Sequence, residues 1–571
     1  MLQICSGKLF HNDVEYRNNL KGIIYTNLRL IREKRIETVA GSVTGTDNFH
    51  QTNAIIYEIE ELIESQSDGS QGILVSHGID SLILDFSSIL SFGMNCSASP
   101  SFSILEKLLS DQLGISTHST PNKTISRVFD KSIICSEKEE AFFLDFVKHL
   151  IGLNRKTYLG VMNAIRTYVT GIQRISDDFE LAYTLLVASI ESLAQNFDGH
   201  QSTWNDYDSR KKKIIDKALV NADLETADKV REAILSIEHT SLNHRFQTFC
   251  IEHIAPSFFR DEALKTINPL TKMDLKTSLK NAYQARSQYI HILKKLPKQL
   301  HFGESFTETV EIDRKVWLTL QGLSRLARHV IIQFVMRQPV IDKEPYDYHL
   351  ERSNIIQLKL SPEVWIGDTS IFEGSGRLKL EGFLSQLAAC LERVPNASIT
   401  KLEAVLKEFK NQISNVKKED KRSFIAIYII YHLIVESIEA NEDEYNNFIN
   451  THANEILEPN AESLIVHCLI EKTPSWELET HNNCLMTYFT DRDKKSKFRC
   501  PRLFEAGMLL QLAQRYHENS DEDNAIKVIG MAVEAYPQHD KLQKFERNYL
   551  IEKQNINWKE ILHPSPEELN D

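Results

Sequence analysis

Residues 181–194 read Leu181-Ala-Tyr-Thr-Leu-Leu-Val-Ala-Ser-Ile-Glu-Ser-Leu-Ala194, and this stretch indicates the fold of the middle of the chain. Its apolar side chains recur near one face at helical spacing, which is typical of an amphipathic helix. Gly199 lies just past the stretch, where a helix stop is expected. The pattern therefore predicts a helix from about Asp178 to Gln195.

Helical patterns continue on both sides of this stretch. Apolar residues at helical spacing begin after Glu139, and a second helix is predicted over about Thr157 to Ile175. A last helix is predicted over about Val316 to Phe334, and Pro339 follows as a breaker. We therefore expect residues 140–337 to form a helical bundle.

The first part of the chain, residues 1–139, has a different pattern. The stretches Leu20–Leu28 and Gly72–Ser76 are β-prone, and clusters of Gly, Ser, Asn and Asp separate them. One helix is predicted around Ile55 to Ser65, where Ile and Leu recur between glutamates. We expect a β-rich or mixed domain here.

Residues 338–380 predict a small hairpin or a structured linker. Apolar and polar residues alternate in Ile355–Leu360 and in Arg377–Leu380, and Gly374-Ser-Gly376 between them is typical of a turn.

Residues 381–571 predict a helical region. Within it, residues 506–539 resemble a single tetratricopeptide-like repeat. One such unit cannot bury its own apolar face, so further helical hairpins are expected beside it. An ordinary helical hairpin is the alternative interpretation. The predicted fold class is thus multidomain and mainly α, with a β-rich or mixed first domain, a central bundle and a C-terminal helical-repeat region.

Bulk composition narrows the class of protein. A chain of 571 residues exceeds what one core usually supports, so two to four domains are expected. The net charge of −13 argues against a general nucleic-acid coat protein, although it leaves room for a local basic site. No secretory signal is visible, and the apolar run Phe424–Val435 is too short to span a bilayer. We expect a cytoplasmic protein without a membrane partner.

The segment with the clearest chemistry is residues 272–301. It contains seven lysines and arginines and a single acid, Asp274. Such a local excess of positive charge attracts phosphates. The residues that we predict to bind RNA are Lys280, Tyr283, Lys294 and Lys295.

Arg286 and His291 form an Arg-x4-His pattern inside this segment. A histidine can take or give the proton that RNA cleavage requires, and a guanidinium can stabilise the charge that develops on the phosphate. Ser287 and His291 are four residues apart and share a helix face. Such a pattern also arises by chance, so a surface arginine and a half-buried histidine remain the alternative.

Two stretches resemble the Apea-like HEPN ribonuclease family. Residues 181–194 resemble its helix with an "sxxEsL" pattern, and Tyr283-Gln-Ala-Arg-Ser-Gln-Tyr-Ile-His291 resembles its "YxxRSxxxH" segment. The resemblance implies an all-α bundle that pairs with a second copy, and RNA cleavage without metal that leaves a 2′,3′-cyclic phosphate. Many members of the family have Gly soon after the histidine, whereas here Ile292-Leu-Lys follows.

The resemblance also implies roles for individual residues. Arg286 and His291 carry over as the catalytic pair, Ser287 matches the usual polar residue after the arginine, and Glu191 is the expected partner that orients Arg286. No cofactor and no metal are expected.

The predicted function is an endoribonuclease that acts on tRNA or another cellular RNA as a homodimer, in bacterial phage defence or as a toxin. The C-terminal helices are expected to hold a protein partner. The alternative is a non-catalytic scaffold that binds a protein partner.

Cysteine and histidine spacing offers two weaker candidates for a zinc site. One lies around Cys250-x-x-His253, and the other comprises His481, Cys484 and Cys500. Neither has a second closely spaced pair of ligands, so packing is the favoured interpretation of both.

Overall fold

Helices account for most of the described chain, and a five-stranded sheet lies near its start, which confirms the mainly α class. The computed structural model divides the chain into two units, Met1–Gln357 (unit 1) and Leu358–Asp571 (unit 2). No described helix has both the length and the apolar character that crossing a bilayer requires. The structure describes residues 1–30, 34–46, 52–65, 77–110, 120–197, 203–204, 207, 209–237, 242–264, 266–301, 306–351, 355–435 and 442–563.

Unit 1 combines short strands with a bundle of helices. Its strands are β1 (Val14–Thr26), β2 (Leu28–Arg29), β3 (Arg35–Thr38), β4 (Gly41–Gly45), β5 (Asn53–Glu64), β6 (Ala98–Ser99), β7 (Ile133–Ile134), β8 (Thr309–Ile312) and β9 (Lys315–Leu318). Its helices are α1 (Leu2–Cys5), α2 (Ile79–Met94), α3 (Phe102–Leu109), α4 (Pro121–Thr124), α5 (Glu137–Gly152), α6 (Arg155–Gln173), α7 (Phe179–Phe197), α8 (Ser209–Ala218), α9 (Leu224–Ile237), α10 (Leu242–Glu252), α11 (Leu275–Ile292) and α12 (Leu320–Arg337). The main sheet has the strand order β3-β4-β5-β1-β6.

Strand β5 corrects the helix predicted around Ile55 to Ser65. Buried and more exposed residues alternate along its whole length. The apolar residues of this stretch also fit a helical spacing. Antiparallel pairing with β1 nevertheless gives their backbone N–H and C=O groups hydrogen-bond partners in a strand. The β-prone stretch Leu20–Leu28 is confirmed in β1 and β2. The stretch Gly72–Ser76 lies outside the described residues.

The sheet and the helices of unit 1 share one hydrophobic core. Tyr57 on β5 stacks on Phe86 of α2, with ring centroids 4.3 Å apart. Phe86 in turn meets the edge of Phe143 on α5 at 6.4 Å. The domain boundary predicted at residue 139 therefore falls inside a continuous core rather than at a junction.

The helices predicted in the middle of the chain are present, with ends within a few residues of the expected ones. Helix α5 begins with a capping box, in which the Ser136 hydroxyl accepts the Glu139 N–H while the Glu139 carboxylate accepts the Ser136 N–H. The last predicted helix begins later than expected, because residues up to Leu318 form the β8–β9 hairpin and α12 starts at Leu320. Its N-cap, Thr319, accepts the N–H of Gly322.

Unit 2 is helical throughout its described secondary structure. Its helices are α13 (Pro362–Trp365), α14 (Ser375–Leu391), α15 (Glu403–Gln412), α16 (Lys418–Ile430), α17 (Glu442–Leu457), α18 (Ala461–Leu469), α19 (Leu478–Asp491), α20 (Arg502–Glu518), α21 (Glu522–Ala535), α22 (Asp540–Ile551) and α23 (Trp558–Leu562).

Helix α14 corrects the hairpin expected at residues 338–380. The supposed second strand, Arg377–Leu380, lies inside this helix, and Gly374 is its N-cap with φ 87°. The carboxylate of Asp420 accepts the N–H groups of Gly374 and Gly376 at 2.7 and 2.9 Å. The first N–H groups of a helix have no partner within the helix, and the carboxylate of Asp420 on α16 accepts them here. Asp420 lies 46 residues after Gly374, so the local sequence pattern could not reveal this contact.

Helices α20 and α21 form a hairpin where the tetratricopeptide-like unit was predicted. Ser520 turns the chain with φ 60°, and Asp521 caps α21 by accepting the N–H of Asn524. A helical hairpin is thus present at this position, and the single helices α22 and α18 pack against it. Its membership of the repeat family stays a prediction.

Candidate functional site

Glu191 lies on the buried face of α7, where that helix contacts α11. Its side chain is only 4% exposed. Removing a carboxylate from water costs several kcal/mol unless charged and hydrogen-bonding partners replace the solvent. The partners of Glu191 therefore define the site.

Three side chains satisfy this carboxylate. Nη2 of Arg286 lies 2.8 Å from Oε2, and the hydroxyl of Tyr283 donates to Oε1 at 3.0 Å. Nε2 of Gln195, one helical turn further along α7, also donates to Oε1 at 3.1 Å. Burial and the adjacent Glu191 carboxylate raise the pKa of Tyr283 well above its ordinary value, so its hydroxyl stays a donor.

Arg286 contacts Glu191 through its Nη2 atom, and part of its side chain reaches solvent. Its side chain is 22% exposed, and its Cζ lies 5.9 Å from the centre of the Tyr283 ring. Its Nε–H is buried and finds no hydrogen-bond partner among the residues that the structure describes. The guanidinium thus keeps donor capacity beyond its contact with Glu191, as an anion-binding arginine requires.

His291 lies in the last turn of α11 and is exposed. A separation of five residues places it about 7.5 Å further along the axis and about 140° around it from Arg286. The structure therefore brings Glu191, Tyr283 and Arg286 together and leaves His291 on a different face of the same helix. Ser287 is half-buried and precedes His291 by one turn.

The end of α11 has an unusual backbone. Leu293 follows the helix in the left-handed region, with φ 50° and ψ 32°, and its N–H bonds the carbonyl of Tyr289. Glycine is the usual residue at such a position, since a side chain there costs about 1–2 kcal/mol. Leu293 is 72% exposed, so its side chain recovers little by burial. The hydroxyl of Tyr289 donates to Asp178 at 3.0 Å and ties this end of α11 to the start of α7.

The lysines of this segment face solvent. Lys276 and Lys280 are exposed on α11, and Lys294 and Lys295 are exposed just beyond it. None of the four forms an ion pair with a residue in the described part of the chain. Their positive charge is therefore directed at solvent and at any anion that approaches.

The two weaker zinc candidates are packing arrangements where the structure describes them. Cys250 is completely buried, and Nδ1 of His253 lies 2.9 Å from the carbonyl oxygen of Phe249. His481 is also buried, and Nη1 of Arg515 donates to its Nδ1 at 3.2 Å. Neither set gathers three metal-binding side chains among the described residues.

Two members of the site were not anticipated in their observed roles. Tyr283 was expected to bind RNA, but it is buried and its hydroxyl contacts Glu191. Gln195 was not singled out at all. Its i, i+4 spacing from Glu191 was a visible signal, since residues four apart share a helix face.

Comparisons of the chain with protein-family models, with curated proteins and with solved structures found no match.

Proposed function

We propose that this protein is an endoribonuclease that cleaves RNA without a metal ion, with Arg286 and His291 as its reacting pair. The observation that carries the proposal is the ion pair of Arg286 with the buried Glu191, on the same helix as the exposed His291. Four exposed lysines lie on or just after this helix. A fixed guanidinium, an accessible imidazole and a positive surface are the parts that such a reaction needs.

The reaction would proceed by attack of a ribose 2′-oxygen on the adjacent phosphorus. An imidazole takes the 2′-hydroxyl proton, the bond from phosphorus to the 5′-oxygen breaks, and a protonated imidazole donates a proton to that oxygen as it leaves. The products are a 2′,3′-cyclic phosphate and a 5′-hydroxyl end. Arg286 would stabilise the negative charge that builds on the phosphate oxygens.

Glu191 and Tyr283 act in this proposal as positioning residues. Glu191 holds the guanidinium at 2.8 Å, and Tyr283 fixes the carboxylate through its hydroxyl at 3.0 Å. Ser287 stands between the pair on the helix and would contact the substrate from its half-buried position. Lys280, Lys294 and Lys295 would bind the RNA backbone.

A second copy of the chain would complete the site. Arg286 and His291 point in directions about 140° apart, so one copy presents them poorly to a single phosphate. Ile290, Ile292 and Leu293 are 48%, 70% and 72% exposed beside His291, and such apolar side chains favour burial against a partner. We therefore propose a homodimer in which the two copies of α11 face one RNA strand.

The biological setting that we propose is bacterial phage defence or a toxin system, with tRNA or another cellular RNA as the substrate. The C-terminal helices of unit 2 would hold a protein partner. The setting is inferred from the resemblance of the sequence to the HEPN ribonuclease family, and the protein partner from its tetratricopeptide-like unit.

The experiment incubates the purified full chain with tRNA or total RNA in the presence of EDTA. His291→Ala is expected to lower the cleavage rate at least about 100-fold, since general acid–base groups contribute that much or more. Because His291 is exposed, this variant should fold normally. The matched control is His244→Ala, which alters another exposed histidine of unit 1.

Arg286→Lys is the companion variant, because it keeps a positive charge beside Glu191 while removing the planar fork of donors. Equal cleavage by the wild-type protein, His291→Ala and Arg286→Lys would refute the proposal. Absence of cleavage in all three would favour a non-catalytic scaffold, which predicts a protein partner retained by the C-terminal helices.

A further inference from the structure

Three side chains that suit a transition metal converge in the sheet region of unit 1. They are Cys5 at the end of α1, Glu61 on β5 and His77, two residues before α2. Sγ of Cys5 lies 3.9 Å from Nδ1 of His77, and Nδ1 lies 2.7 Å from Oε1 of Glu61. Within the described residues, this is the one group of three or more such side chains whose ligand atoms lie within 4.8 Å of one another.

The cluster is buried. Cys5 is 1% exposed, Glu61 is fully buried, and the side chain of His77 is 3% exposed. Besides the imidazole, the Glu61 carboxylate accepts the backbone N–H of His77 at 2.8 Å and Nδ2 of Asn18 at 3.3 Å. A carboxylate, an imidazole and a thiol thus lie together in a place that is shielded from water.

We propose that Cys5, Glu61 and His77 bind a zinc ion. Zinc accepts sulfur, nitrogen and oxygen ligands together, whereas magnesium and calcium prefer oxygen alone. Zinc would bind the sulfur of Cys5 as a thiolate, so binding would release the thiol proton, while the ring hydrogen of His77 would lie on Nε2 and leave Nδ1 open to the metal.

The distances allow one ion to reach all three atoms after a small adjustment. With zinc–sulfur and zinc–nitrogen bonds of about 2.3 and 2.0 Å, tetrahedral geometry requires about 3.5 Å between Sγ and Nδ1, so the observed 3.9 Å must close by about 0.4 Å. Tetrahedral geometry requires about 3.3 Å between the nitrogen and the oxygen. The observed gap of 2.7 Å must therefore open by about half an ångström.

The ion would link three segments of unit 1, since its ligands come from α1, from β5 and from the segment that leads into α2. These three segments are far apart in sequence and meet only through tertiary packing. The site is separate from the proposed ribonuclease function, which needs no metal.

The experiment strips the purified full chain of metal with a chelator and titrates it with Zn²⁺ and then, in a second sample, with Co²⁺. Wild-type protein is expected to bind on the order of one equivalent of zinc, and its cobalt form should show thiolate-to-metal charge-transfer absorption. Zinc should also raise the thermal midpoint of unfolding. Cys5→Ser, Glu61→Gln and His77→Gln should each weaken zinc binding at least about tenfold.

The control is Cys135→Ser, which alters a half-exposed cysteine of the same unit and should keep both the zinc and the absorption band. Wild-type protein that binds no zinc and shows no charge-transfer band would overturn the proposal, and so would a band that survives in folded Cys5→Ser. Because the cobalt band is measured on the wild-type chain, the result does not depend on whether a variant folds.

Discussion

Arg286 places its Nη2 atom 2.8 Å from Oε2 of Glu191, a carboxylate that is 4% exposed. The pair joins α11 to α7 in the interior of unit 1, and the arginine is the more exposed partner at 22%. A partly buried ion pair of this kind holds both groups in one geometry, because breaking it leaves an uncompensated charge.

The first prediction concerns Glu191→Gln, which keeps the size of the side chain and removes its charge. We expect the free energy of unfolding to fall by about 1–3 kcal/mol, because Arg286 loses its counter-charge. RNA cleavage should fall about 10- to 100-fold, since the guanidinium is no longer held in place. Urea denaturation and the EDTA cleavage assay measure the two effects.

Glu225→Gln is the matched control, because that glutamate is 78% exposed and pairs with Lys229 one turn away. This variant should change neither the free energy of unfolding nor the rate of RNA cleavage measurably. A Glu191→Gln variant that is destabilised yet cleaves RNA at the wild-type rate would show that the ion pair has a structural role only.

The second prediction concerns Lys294 and Lys295, which are exposed beyond the end of α11. For single-stranded RNA, each phosphate contact contributes about −0.7 to the slope of log affinity against log salt. Replacing both lysines by Gln should therefore reduce the magnitude of the slope by about 1.4, which is 2 × 0.7. Fluorescence anisotropy with a labelled RNA over a range of salt concentrations measures this slope.

The same substitutions at Lys401 and Lys407, two exposed lysines of unit 2, serve as the control and should leave the slope unchanged. An equal change in both double variants would mean that general charge, and not this segment, governs RNA binding.

The third prediction uses the left-handed backbone of Leu293. Leu293→Gly should raise the free energy of unfolding by about 0.5–1 kcal/mol relative to Leu293→Ala, because glycine relieves the steric cost while both variants lose the same exposed side chain. Urea denaturation of the two variants provides the comparison. A glycine variant no more stable than the alanine variant would contradict the strained helix end.

The fourth prediction is a pH dependence in unit 2. Burial, reinforced by the positive charge of Arg515, lowers the pKa of His481 to about 3, whereas in the unfolded chain it is about 6.5. Between these values the unfolded chain binds a proton that the folded chain does not, so stability falls as the pH drops below about 6.5. The loss at pH 5 should be about 1–2 kcal/mol.

His481→Gln keeps an acceptor for Arg515 and removes the titration, so its stability should vary less between pH 7 and pH 5 than that of the wild type. Tryptophan fluorescence can follow the unfolding, because the ring of Trp476 lies 6.0 Å from that of His481. Parallel pH profiles for the two proteins would show that His481 does not contribute to acid destabilisation.

Helices α5, α6, α7 and α12 of unit 1 were predictable from local pattern, whereas α2, in the segment predicted to be β-rich or mixed, was not anticipated. Helix α7 was expected at Asp178 to Gln195 and is observed at Phe179–Phe197, because its apolar face repeats at the helical period over five turns. The alternation in Arg377–Leu380 misled the prediction, since four residues cannot distinguish a strand from the first turn of a helix.

The helix predicted around Ile55 to Ser65 was wrong, because these residues belong to strand β5 and the position that follows it. Its Ile and Leu residues fit both periods, and only pairing with β1 decides between them. The misassigned helix also concealed the burial of Glu61, so the cluster with Cys5 and His77 had no signal in the sequence. Three single residues separated by more than fifteen positions form no motif.

The sequence by itself determined the helical character of the chain, the basic segment around α11 and the placement of Arg286 and His291 on one helix, because these follow from short-range periodicity and charge. Only the tertiary structure decided that Tyr283 turns inward and that the sheet and the bundle of unit 1 share one core. Those outcomes depend on contacts between residues far apart in the chain, such as Phe86 with Phe143 and Tyr283 with Glu191. Packing selects such contacts by burial and pairing, and no local pattern encodes them.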